Sequence, residues 1–159
     1  MEETAQHLIA TVQQALALLQ EISDSEASVK PAQGKWSHKE IIGHLVDSAN
    51  NNVQKFVRTI LHDGVHMPPY EQDSWVSSQH YNEEYWKQLL SIWEYNNYHI
   101  AHIMQHVPAS VYGHKIFIGG KGPYTLEFIV KDYNEHLKHH LKQVLPDHPF
   151  LANNFEMMY

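Results

Sequence analysis

Apolar residues recur three and four positions apart in four stretches of the chain, and a breaker or cap punctuates most of their ends. Leu8, Ile9, Val12, Ala15, Leu16, Leu19 and Ile22 share one face, which predicts a helix over residues 4–22. The polar run "SDSEASVKPAQGKW" follows, and Pro31 and Gly34 mark it as a loop. Ser37 with Glu40 three positions on is a capping box, hydroxyl and carboxylate each accepting from a free first-turn amide. Ile41, Ile42, Leu45, Ala49, Val53, Phe56 and Ile60 carry the second helix from there, and Asp63-Gly64 ends it.

The next run, "VHMPPYEQDSWVSSQH" over residues 65–80, reads as a long connection with two exposed aromatics, Tyr70 and Trp75. Loops of that length inside a compact domain are uncommon and are often functional. A third helix spans residues 82–106 on Trp86, Leu89, Leu90, Trp93, Ile100, Ile103 and Met104, with Val107 at its end. In the turn-rich stretch after it, "HKIFIGGKG" fits a short hairpin. Thr125 caps a fourth helix that Pro146 stops, and the tail "DHPFLANNFEMMY" is irregular but apolar enough to dock. Four such helices predict an all-α four-helix bundle, one domain over residues 1–159, with the long loop between helices two and three.

Composition narrows the function. The 159 residues carry a formal charge of −7 and no basic cluster, which argues against gripping nucleic acid by its phosphates. No cysteine is present, so disulfides, thiolate metal sites and a cysteine nucleophile are excluded. The acidic, amphipathic start "MEETAQHLIATVQQ" is unlike a secretory signal, and no apolar run is long enough to span a bilayer. A cytoplasmic protein without a membrane partner is expected. The unusual number is 14 histidines.

Helical phase sorts those histidines. On helix four Leu126, Ile129, Tyr133, Leu137, Leu141 and Val144 define the core stripe. His136 and His140 lie on its inward side four residues apart, one ring a turn above the other, while His139 falls with Asp132, Glu135 and Lys142 on the solvent side. Two imidazoles so spaced can chelate one cation. A third ligand has to come from a facing helix, and His44 is the best placed, at the margin of the helix-two stripe beside Ser48 and Asn52. On spacing alone, two rings that arise by chance or merely hydrogen-bond within the core are the commoner case for an isolated pair. His99, His102 and His106 fall opposite the apolar face of helix three and read as solvated; His62, His66, His80, His114 and His148 carry no pattern.

Rival constellations are weak. Glu83, Glu84, Glu94, Glu127 and Glu135 sit on polar faces. Ser37-His38 lacks a nucleophile elbow, and "GGKG" at 119–122 lacks the setting of a phosphate loop.

Three segments together resemble the DinB-like superfamily, metalloenzymes of the DinB/YfiT type. "GKWSHKEIIGHLVDSANN" (34–51) resembles its G-K-W-S start and H-L-x-D motif, "YEQDSWV" (70–76) its D-Q-D-x-W/Y segment, and "YTLEFIVKDYNEHLKHHLKQV" (124–144) its closing H-x-x-H-H-L motif. Asn134-Glu135 stands before His136 where many members have a glycine, but the ligand position is kept. The resemblance implies an up-down-down-up bundle holding a divalent metal on His44, His136 and His140. It also implies a transferase joining a low-molecular-weight thiol to a small electrophile, or a related hydrolase. Imidazole ligands suit zinc or nickel, with copper and iron not excluded. The 65–80 connection is expected to cover the open side, Tyr70 and Trp75 contacting substrate and Asp73 orienting a ligand or acting as base. A non-catalytic metal- or small-molecule-binding bundle of stress response is the alternative. The aromatic residues favour a homodimer.

Overall fold

The computed structural model describes residues 1–153. Four long helices form the body: α1 (Glu2–Leu19), α3 (His38–Leu61), α5 (Trp86–Gln105) and α6 (Leu126–Val144), with two short helices, α2 (Asp24–Ala27) and α4 (Gln72–Ser78), in the connections. α1 packs on α5 and α6, and α3 packs on the same two, so the first two long helices face each other across the bundle. The ends that meet are specific. Gln105 donates to Glu2, the Trp86 indole donates to the Leu19 carbonyl, and Ser37 donates to Asn82. The core is one cluster in which Leu8, Leu45, Leu89, Trp93, Ile100 and Leu137 are fully buried.

The caps read from the sequence start the helices that hold the site. Ser37 Oγ accepts from the Glu40 amide at 3.2 Å and Glu40 returns the bond to the Ser37 amide at 2.8 Å. Thr125 Oγ1 accepts from the Phe128 amide at 3.1 Å. Each such cap satisfies a first-turn amide that has no partner inside the helix.

The fold is not purely helical. Val65–Met67 forms β1, Lys115–Ile118 forms β2 and Lys121–Thr125 forms β3, in a sheet ordered β1-β2-β3. β2 and β3 are the expected hairpin, turned on Gly119 and Gly120, both with positive φ, as a tight two-residue turn demands. β1 pairs with β2 in parallel, Val65 opposite Ile116. The 65–80 connection is therefore not a plain loop: it contributes one strand and then α4. The third long helix begins at Trp86 rather than at residue 82, because Tyr81–Glu83 makes a single 3-10 turn. Within the tail, Leu151 docks in the core; residues 154–159 lie outside the described part.

Candidate metal centre

α3 and α6 lie side by side with their polar strips facing. One helical turn separates His44 from Ser48 on α3, and one turn separates His140 from His136 on α6. The two ladders run in opposite directions, so His44 meets His140 with ring centroids 4.4 Å apart, and Ser48 Oγ stands 3.4 Å from His136 Nδ1. His136 lies 5.3 Å from His44 and 4.6 Å from His140, centroid to centroid. One donor atom from each ring falls within 4.8 Å of the other two. Three nitrogens bound tetrahedrally to one zinc ion stand about 3.3 Å apart. The three rings thus need at most about 1.5 Å of closure to share a cation.

The outward nitrogens have neighbours suited to hold the rings. Tyr70 Oη lies 3.4 Å from His44 Nδ1, Ser48 Oγ faces His136 Nδ1, and the Gln143 amide is 3.3 Å from His140 Nδ1. Hydroxyls accept as well as donate, and a side-chain amide offers an oxygen when turned over. With Tyr70 and Ser48 accepting, Nδ1 of His44 and of His136 carries the proton and leaves the Nε2 lone pair free, and His140 Nδ1 does the same when the Gln143 amide presents its oxygen. His44 Nε2 is buried without a hydrogen-bond partner. An orphaned acceptor of this kind, set among two further imidazoles, is available to a cation. The donor set fits a cation.

Burial keeps these rings neutral, the form that binds metal. It drives His44 down to about 4, against a small opposing pull from Asp73. His140 falls to about 3 through burial and then through the His44 and His139 charges, and His136 falls well below the usual histidine value for the same leading reason. Each folded value lies below the unfolded one near 6.5, so the unfolded chain binds more protons as pH drops. Stability from neutral rings is complete above pH 6.5 and is lost as pH falls toward 4 and then 3. Metal-free protein should therefore lose stability on the order of a few kcal/mol between pH 7 and pH 4. His140→Gln should flatten that profile, read from urea midpoints; parallel profiles for the two proteins would show that the ring is not held neutral.

The other expected residues scatter. Tyr70 borders the rings, with the two planes 20° apart at 6.3 Å. Trp75 packs edge-on against Tyr70 at 5.2 Å and lines a shallow cleft outside the centre. Asp73 is exposed in the first turn of α4, felt by His44 only through its charge. His99, His102 and His106 are exposed, in line with their phase. Two placements correct the sequence reading. Glu135 is buried and ion-paired with Lys138, and Asp132 is buried facing Lys55 electrostatically; neither is on a solvated face. Helical phase missed them because α6 is covered on three sides, by α3, α1 and the tail. Trp36, which no periodic pattern marks, lies 5.2 Å from His44 and stacks toward His140 at 6.4 Å. Its place just before the Ser37 cap was the available signal.

Above the rings opens a groove of about 730 Å³ between α3, α6 and the sheet, bordered by His136, His140, Tyr70, Tyr124 and Pro69. A smaller cavity beneath it reaches Ser48, Asn52 and Asp132. Among the described residues no helix is long and apolar enough to cross a membrane.

A three-histidine cluster between two bundle helices, two of its rings buried and His136 half-buried under a groove, defines a class of candidate metalloprotein. The model of the DinB superfamily matches residues 7–144, and the chain belongs to that superfamily. Among solved structures it is similar to YfiT from Bacillus subtilis, with a TM-score of 0.75 and 18% identity over 91% of this chain and 81% of that one. YfiT is described as "a probable metal-dependent hydrolase with an unusual four-helix bundle topology". No curated protein matches the chain.

Proposed function

We propose that the protein is an enzyme dependent on a divalent metal held by His44, His136 and His140, acting on a small molecule in the groove above them. The observation that carries this reading is the buried, unpartnered His44 Nε2 among two further imidazoles. The description of YfiT supports metal dependence, and the motifs of the superfamily support transfer of a low-molecular-weight thiol. The meeting of Glu2 with Gln105, Leu19 with Trp86 and Ser37 with Asn82 supports an up-down-down-up order of the long helices.

A bound divalent cation, zinc or nickel, supplies a Lewis acid that makes a thiol or water acidic enough to be a nucleophile at neutral pH. The chain itself does the positioning. Tyr70, Ser48 and Gln143 stand against the Nδ1 atoms of the three rings and orient them, and Trp36 covers the rings on one side. In the transfer, a thiol sulfur bonds to an electrophilic carbon, the leaving group departs with its electron pair, and the thiol proton is released. Water in place of the thiol gives hydrolysis, and the mass of the product separates the two.

Untagged protein should carry one metal equivalent per chain. His136→Ala should weaken binding by more than the roughly 10–100-fold typical of losing an outer-shell partner. Unchanged metal content in that variant removes His136 from the ligand set. Chelation that lowers the melting temperature, with no thiol-dependent turnover across a panel of electrophiles, would instead favour a non-catalytic binding protein.

A further inference from the structure

We infer that the groove receives a small molecule bearing a carboxylate or phosphate group, and that the Lys55 ammonium binds this anion. The inference rests on the groove being the substrate site proposed above, and it adds the substrate's charge.

The first observation is the sign of the groove. The whole chain has 18 acidic residues against 11 lysines and arginines. Yet among the described residues no aspartate or glutamate lines the groove, while Lys55, Lys121, His136, His139 and His140 do. A cavity whose fixed charges are the lysines' positive ones, in a protein that is negative overall, favours anions. Its volume of about 730 Å³ suits a small metabolite rather than a polymer segment.

The second observation is where Lys55 stands. It follows His44, Ser48 and Asn52 down the same face of α3, at successive helical turns. It borders both the groove and the small cavity below, each time with His136. Burial lowers the ammonium's pKa, against a raising influence from Asp132. Holding a half-buried cation here costs desolvation energy that packing an apolar side chain would avoid. Asp132 borders the lower cavity but not the groove, so a ligand in the groove meets Lys55 without meeting that carboxylate. An anion seated there leaves the other end of the molecule to reach the rings. Lys121, exposed on the hairpin, adds positive charge at the mouth.

The bland alternative is that Lys55 and Asp132 only stabilise the fold. Binding of benzoate, phenyl phosphate and neutral benzamide to the full-length chain, followed by ligand-observed NMR with and without zinc, separates the two. The metal-free protein should bind at least one of the two anions about tenfold or more tighter than benzamide, as a charge-assisted hydrogen bond would give. The tighter anion identifies the head group. Lys55→Met should erase the preference while Lys55→Arg retains it, in variants whose melting confirms folding. Equal binding of benzamide, no detectable binding of either anion, or a preference that survives Lys55→Met would overturn the inference. Zinc stoichiometry in the same samples keeps this test apart from the metal reading. A chain that takes up zinc without Lys55-dependent anion binding defeats this inference alone. One that binds benzoate through Lys55 without taking up zinc defeats only the metal.

Discussion

Glu135→Ala is expected to lower the unfolding free energy by about 3–5 kcal/mol, the range for stripping one partner from a buried ion pair. Lys138 Nζ lies 2.7 Å from Glu135 Oε1, and the two side chains are 0% and 4% exposed. The ammonium also donates to the Ala152 carbonyl at 2.9 Å. Without the carboxylate, the charge is left in a closed space beside one neutral acceptor. Replacing both partners, Glu135→Leu with Lys138→Met, should restore most of the loss, because neither hydrophobe needs a counter-charge. Urea unfolding of the three proteins checks this. A single-variant loss below about 1 kcal/mol, the level of a surface pair, would show that the two groups are solvated.

Gly43→Ala should be the other strongly destabilising change, on the order of 3 kcal/mol, the upper end for overpacking a core. A methyl at Gly43 would meet the base of the Tyr81 ring at 2.2 Å. That ring is held in turn: its hydroxyl donates to Asp47 Oδ1 at 2.8 Å, and Gln79 donates to the same oxygen at 2.7 Å. Tyr81 therefore has to leave as a unit with the end of the 65–80 connection. Alanine's better helix propensity, about 1 kcal/mol, offsets only part of the cost. Metal-free protein should show the loss in its urea midpoint, since the clash needs no ligand. A midpoint unchanged within error would mean that the ring moves without cost.

Much of this was written locally in the sequence. The Ser37–Glu40 and Thr125 caps place the starts of α3 and α6 because a cap is a contact between near neighbours. Inward phase on α6 selected His136 and His140 over His139. The same capping-box signature at Ser23 and Glu26 starts α2, but four residues give no periodicity that would mark a helix after it. β1 has only three residues and a parallel partner far along the chain, so nothing near it announces a strand. The fate of Glu135 depended on Lys138 and on a tail carbonyl 14 residues beyond that lysine, a neighbourhood that local pattern does not contain. Full burial of His44, first placed at a stripe's margin, depended likewise on Trp36 and on the α6 rings across the bundle.

The contact between Ser48 and His136 spans 88 positions. During synthesis the ribosome delivers the α3 half of the cluster long before the α6 half, and the bundle cannot close over Ser48, Asn52 and Lys55 until α6 emerges. A nascent or truncated chain ending before α6 displays a polar-lined helix face and a single imidazole where the finished protein has three. Assembly of the three-ring cluster thus waits on the emergence of α6, and a chain ending before it holds His44 without the two rings that face it.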